Sequence, residues 1–301
     1  TTEIYTLSLH DALPICEDAY MKMWKLLCYD IKYGCIKNLK LLLFPVIFEM
    51  AVLFMLWQKM NSYAQYGIST QKHMGDVLLY NFGGMEKYKM SMENVFQFPV
   101  TWMLLFVMIL FVTLSYPMNN LCGFGNKLLI KGKSRVKWWL SKCIWNLLCN
   151  IIFFGIIFTL ILSFCSISGI QSGMQVNTDM QTVLFNLGAD TSLKPDAIMP
   201  VGDIVMVFML SVAICQIQMA LGLWLKPIYS FMVMCMVLLL SAYFQSLFVI
   251  GNYAMLIRHL WINEDGIDCK AALPAMCLII FITVIVGVIR FKKYNIIQEE
   301  N

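Results

Sequence analysis

The residues able to do chemistry are few, and their spacing does not converge on a reaction. Only His10, His73 and His259 supply imidazole. No H-E-x-x-H, G-x-S-x-G or paired-aspartate pattern accompanies them. His73 and Asp76 share one loop, where a His–Asp pair is an ordinary surface contact. Eleven cysteines are present. None falls in a C-x-x-C pair, so no zinc or redox motif is predicted. Cys143, Cys149, Cys165, Cys215, Cys235 and Cys277 sit in or beside apolar runs and read as small buried hydrophobes. Cys269 is the one cysteine in a predicted outer loop, with no obvious partner.

Two glycine-rich fragments imitate nucleotide-binding loops. Gly132-Lys133-Ser134 matches the end of a P-loop, but that pattern needs glycine at position 127, which is Lys127. Gly123-Phe124-Gly125 lacks its third glycine, because position 128 is Leu128. ATP is therefore not bound through either motif. No catalytic, cofactor-binding or metal-ligating residues are predicted, and the chain is not expected to be an enzyme.

The most informative ionisable residue is Glu49. It lies mid-way along an apolar run, four positions after Pro45. A charge at such a depth costs about 2.5 kcal/mol or more, so an intramembrane carboxyl marks either function or a polar contact between helices. Gln216, Gln218 and Gln245 occupy similar runs, and neutral amides there commonly join helices. Pro45 is expected to kink its helix by removing a backbone donor.

These residues need a membrane to position them. Of 301 residues, 60% are apolar and 13% charged, against about 25% charged in soluble domains. Mean hydropathy is +0.71. Six stretches approach the roughly 20 apolar residues that cross a bilayer: Leu39–Trp57, Val100–Tyr116, Ile144–Phe164, Ile204–Leu225, Ile228–Ile250 and Leu273–Ile289. Lipid leaves no partner for free backbone N–H and C=O groups, so each is predicted to be helical. The predicted fold class is all-α: a polytopic membrane protein with six transmembrane helices, an N-terminal in-plane amphipathic helix and both termini cytoplasmic.

Charge sets that orientation. Met21–Lys40, Pro117–Lys142, the turn at Lys226 and the tail from Arg290 hold fifteen basic residues and three acids. The segments Gln58–Pro99, Ser166–Asp203 and Gly251–Ala272 hold seven basic residues and ten acids. The basic set belongs inside. The net charge of +4 therefore reports orientation, with no nucleic-acid partner implied.

Thr1–Tyr20 stands apart. It contains four acids and no Lys or Arg, and TLSLHDALPI resembles translated sequencing-adaptor read-through. Residues 1–20 are expected to be a non-native tail. Met21 is then the natural start, and 21–301 form a single transmembrane domain. From Met21 to Leu39, a helical projection places Trp24, Leu27, Cys28, Ile31, Cys35 and Leu39 on one face, with Lys22, Lys25, Asp30 and Lys37 elsewhere. This suits a helix lying in the inner headgroup layer against membrane lipids, or an ordinary juxtamembrane flank.

The segment PMNNLCGFGNKLLIKGKSRVKWWLSKCIWN is the most distinctive. If it is helical from Lys127, then Lys127, Lys131, Arg135 and Lys142 share a face with Trp138. That face suits an acidic protein partner. It equally suits a basic flank whose Trp138, Trp139 and Trp145 form an interfacial belt.

With GFGNKLLIKGKSRVKWWLSK and GDVLLYNFGG (Gly75–Gly84), the chain resembles permease subunits of type 2 ABC transporters, in particular small permeases of Firmicutes. The likeness covers nearly all of Met21–Asn301. It implies a permease of an ATP-binding cassette exporter in the bacterial cytoplasmic membrane. A separate ATPase subunit would power it, and a second copy or a paralogous permease would complete it. It also implies that the ATPase contacts a coupling loop within Gly123–Arg135, including Asn126, Lys127, Lys131 and Arg135, and that a partly inserted element lies between the last two spans, near Asn252–Trp261. Arg258 and His259 weigh against deep insertion there. The alternatives are a non-transporting immunity or sensory protein and an ion-coupled secondary transporter using Glu49.

Overall fold

The computed structural model describes residues 23–65, 72–88, 96, 98–132, 134–185, 194, 197–246, 248–264 and 266–294. The expectations for residues 1–20 and for Lys22 lie outside these, as do those for the side chains of Lys37, Leu39 and Lys131.

The chain opens with α1 (Met23–Asp30), a π-turn (Ile31–Cys35) and a 3-10 stretch (Ile36–Leu42). These lead into α2 (Leu43–Gln65), followed by α3 (Met74–Phe82), α4 (Val100–Leu114), α5 (Tyr116–Cys122), α6 (Phe124–Gly132) and α7 (Arg135–Ile167). Then come β1 (Gln175–Val176), α8 (Thr178–Leu184), β2 (Ala197–Ile198), α9 (Val201–Leu221) and α10 (Pro227–Tyr243). Two 3-10 turns (Ile250–Ala254 and Leu256–Arg258) precede α11 (Cys269–Lys292).

Among the described residues, five helices are long and apolar enough to cross a membrane: Lys40–Ser62, Val100–Cys122, Arg135–Ile167, Val201–Leu221 and Cys269–Lys292. α10 is apolar and 17 residues long. The protein is an all-α polytopic membrane protein. α9 is central, with 67% of its apolar window buried against 17% for α11. It packs on α4, α7, α10 and α11.

Several boundaries differ from expectation. The third stretch begins at Arg135 rather than Ile144, because Ser134 accepts the Lys137 N–H and starts the helix there. The added turns carry Trp138 and Trp139 inward. All three expected belt tryptophans, Trp138, Trp139 and Trp145, are buried. Trp138 stacks on Phe291 with centroids 4.7 Å apart. Pro45 falls in the first turn of α2, just beyond the 3-10 stretch. A missing N–H there breaks no bond inside the helix, so Pro45 marks a boundary instead of a kink. The fifth stretch ends at Tyr243 and not Ile250, because Phe244 turns extended.

On α1, Trp24 of the projected apolar face is 70% exposed, and the interior face is Leu26 and Asp30. The projection groups Asp30 with lysines, away from the apolar face. A charged partner on α7 reverses that.

The long connections at the far end from α1 interlock into one cap. β1 pairs antiparallel with β2 through Gln175–Ile198 and Val176–Ala197. Met74 N–H donates to Gln171 O at 2.9 Å, and Ile257 N–H donates to Gly83 O at 3.1 Å.

Candidate functional site

A polar latch occupies the end where α1, α5 and α7 meet. Lys142 on α7 forms an ion pair with Asp30, each side chain 2% exposed. Asp30 also accepts the Ser141 hydroxyl at 2.5 Å and the Tyr116 hydroxyl at 2.9 Å. Lys142 donates to Asn120 Oδ1 at 2.8 Å and lies 4.7 Å from the Tyr116 ring centroid. Burying two charges is tolerable only when the remaining donors and acceptors are filled. Here Tyr116, Asn120 and Ser141 fill them. The face predicted to carry Lys127, Lys131, Arg135 and Lys142 outward is therefore split, since Lys142 and Trp138 belong to the interior.

The other predicted coupling residues lie on or beside α6. Leu128 and Leu129 face inward, into an apolar cluster with Leu26, Leu121, Trp138, Trp139, Leu223, Phe291 and Tyr294. Outward lie Gly123, Phe124, Lys127 and Ile130, the last 69% exposed. Asn126 is half-buried. Arg135 turns back on the fold, donating to Phe291 O, Lys292 O and Tyr294 O at 3.3, 2.9 and 2.7 Å. A helix C-terminus carries unpaired carbonyls and partial negative charge, and a guanidinium satisfies both. Arg135 thus ties α6 and α7 to the end of α11.

From the latch a polar seam climbs α7 at four-residue spacing: Lys142, Asn146 and Asn150. Asn150 Nδ2 donates to Asn146 O at 2.9 Å, and Ser211 of α9 donates to Asn150 Oδ1. Gln216 donates to Cys143 O at 3.0 Å and Gln218 to Leu110 O at 2.9 Å. Both glutamines are interhelical links. Glu49 is not joined to the seam. It is fully buried, and neither carboxyl oxygen has a hydrogen-bond partner among the described residues.

The cap end holds a second charged cluster that sequence reasoning undervalued. Arg258 is 1% exposed. It donates to Met85 O at 2.8 Å, Glu86 O at 3.2 Å, Ser241 O at 2.8 Å, Ala242 O at 3.0 Å and Asn252 Oδ1. Five acceptors make its burial workable, so Arg258 anchors the turns between α10 and α11. His259 Nδ1 lies 2.8 Å from Asp203 Oδ1, and Nε2 lies 3.1 Å from Tyr253 O. The imidazole thus bridges Asp203 of α9 and the Tyr253 backbone of the cap. His73 and Asp76 form a helix cap and not a surface pair: Asp76 accepts the His73 N–H at 3.0 Å and the Asn177 N–H at 2.8 Å. Burial raises the Asp76 pKa against the pull of those bonds. Among the described residues, no three His, Cys, Asp or Glu side chains converge to hold a metal ion.

The helices and their buried polar links define a multi-pass membrane protein of the all-α class. The sequence model of the family described as "Protein of unknown function (DUF2705)" matches residues 42–297. The chain belongs to that family. No curated protein matches it. No solved structure matches it either.

Proposed function

We propose that this chain is the membrane-spanning permease subunit of an ATP-binding cassette exporter, powered by a separate ATPase subunit. The observation that carries the reading is α6. It is a short amphipathic helix between two spans, outward through Phe124, Lys127 and Ile130 and inward through Leu128 and Leu129. A partner pressing on the outward face would move Leu128 and Leu129 against Trp138, Trp139 and Phe291. Force then reaches α7 and α11 directly.

Six crossings suit this role. Leu26 and Tyr294 belong to one apolar cluster, which supports an even number of crossings. α10 supplies the sixth: it starts shortly after Leu223 of that cluster, and in its last turn Ala242 O accepts from Arg258 in the cap. At 1.5 Å per residue, 17 residues rise about 25 Å, and the 3-10 turns complete the crossing. These turns support the partly inserted element that the resemblance implies. The basic end is the cytoplasmic one, in a bacterial cytoplasmic membrane. A second copy or a paralogous permease completes the transporter.

Lys127→Glu combined with Ile130→Glu is the test. Both side chains point outward, so the variant should unfold at the wild-type temperature yet lose the co-purifying ATPase. An intact complex after that substitution would exclude the docking face. A second reading, an ion-coupled carrier, is favoured by the buried Glu49 carboxyl, which has no hydrogen-bond partner among the described residues. Proton-driven uptake into ATPase-free liposomes, abolished by Glu49→Gln, would establish it instead.

A further inference from the structure

Cys35 and Cys149 are 114 positions apart in the chain, and their sulfurs lie 3.5 Å from each other. Both are free thiols and both are buried. Cys35 ends the π-turn between α1 and α2, and Cys149 lies on α7. Beside them is a cavity of ≈ 60 Å³ lined by Gly34, Leu42, Val112 and Ile152 as well as the two cysteines. On the same measure a water molecule needs about 10–15 Å³, so a small peroxide fits. We propose that Cys35 and Cys149 form a reversible dithiol–disulfide switch, oxidised by hydrogen peroxide, that fastens the α1–α2 junction to α7.

The two thiols have different roles. Cys35 ends the π-turn, in the segment that must move toward α7, so its sulfur is assigned the first attack, as the thiolate; the neighbouring Cys149 thiol lowers its pKa. The Cys35 sulfur attacks one peroxide oxygen. An S–O bond forms, the O–O bond breaks, and the departing hydroxide takes a proton to become water. The Cys149 sulfur then attacks the Cys35 sulfenic sulfur. The S–S bond forms, the S–O bond breaks, and the Cys149 proton leaves with that oxygen as a second water. Two thiols and one peroxide yield a disulfide and two waters. An S–S bond of about 2.05 Å requires the sulfurs to close by roughly 1.5 Å. The segment Ile31–Leu42 is π and 3-10 rather than α, so its hydrogen bonds have poorer geometry than an α-helix and resist the shift less.

The position gives the bond its effect. Tyr116 packs with Cys35, Cys149 and Trp145 and also donates to Asp30. Oxidation thus adds a covalent tie beside the ionic latch. α1 and α7 then separate only after reduction.

The test uses the full chain in phospholipid nanodiscs, treated with hydrogen peroxide, denatured, alkylated and mapped by non-reducing peptide mass spectrometry. Two of the eleven cysteines should be lost to alkylation, in a single peptide pair joining Cys35 to Cys149. Dithiothreitol should restore both. Amide exchange across Ile31–Leu42 should slow in the oxidised protein and recover on reduction. Full alkylation after peroxide, Cys35 paired elsewhere or over-oxidised to sulfinic acid, or unchanged amide exchange would each overturn the switch. No readout depends on transport, so its failure is separate from failure of the permease reading.

Discussion

Asp30 and Lys142 stand 112 residues apart in the chain and meet as an ion pair sealed from solvent. Three donors converge on the carboxylate: Lys142, Ser141 and Tyr116. Asn120 supports the ammonium from the other side. The pair joins α1 to α7, and Tyr116 and Asn120 add α5. The first described helix is therefore mechanically part of the connection that leads into α6.

Removing one charge leaves the other buried and unpaired, which costs about 3–5 kcal/mol. Asp30→Asn and Lys142→Met should each lower the unfolding free energy in detergent by roughly that amount. The double variant Asp30→Leu with Lys142→Met removes both charges and should recover most of the loss. Equilibrium denaturation of all three variants reads this out. Additive losses in the double variant would show that the two residues act independently.

Arg258 yields a different prediction, because its fork geometry matters as well as its charge. Lysine presents a compact ammonium and cannot reach Met85 O, Glu86 O, Ser241 O and Ala242 O together. Arg258→Lys should therefore lose most of the stability that Arg258→Ala loses. Both should expose the Met85–Glu86 backbone and the end of α10 to protease. Wild-type protease resistance in Arg258→Lys would mean that charge alone anchors the cap.

Hydropathy made the membrane class legible, because lipid demands long apolar helices whatever they pack against. It did not reveal which polar residues would be interior. Asp30 projects with lysines on a helical wheel, and only the fold brings Lys142 to it. One signal was available: Asp30 is the sole acid between Met21 and Lys40. Trp138, Trp139 and Trp145 misled for a related reason. A tryptophan suits an interface and a core equally, and the start of α7 at Ser134 decided between them. The interior place of Arg258 left no mark in sequence, because four of its five acceptors are backbone carbonyls. Gln216 and Gln218 were readable as helix links because a neutral amide in an apolar run has few other uses.

Glu49 should tolerate neutralisation. Its carboxyl oxygens accept no hydrogen bond among the described residues, so Glu49→Gln removes an ionisable group without stranding a partner. Its unfolding free energy should stay within about 0.5 kcal/mol of wild type, and Glu49→Leu should equal or exceed wild type. Thermal unfolding in nanodiscs measures both. A large loss in Glu49→Gln would reveal a carboxylate that the fold requires.

α11 packs on α7 close to the Trp139 ring at Gly287. An added Cβ would run into the Trp139 ring. Phe291, one turn on, stacks on both Trp138 and Trp139, so the tryptophan cannot swing away without breaking that stack. Small residues permit such approaches between membrane helices. Gly287→Ala should therefore destabilise the fold by about 1–3 kcal/mol, the range for overpacking a filled core. Trp139→Leu opens the space but leaves a cavity, so it is costly alone. Together the two should cost less than the sum of the singles, with a coupling of about 0.5–3 kcal/mol. Detergent unfolding curves for the full cycle measure this coupling. Strict additivity would mean that α11 shifts away from α7 to absorb the methyl group, and that the contact is looser than the geometry requires.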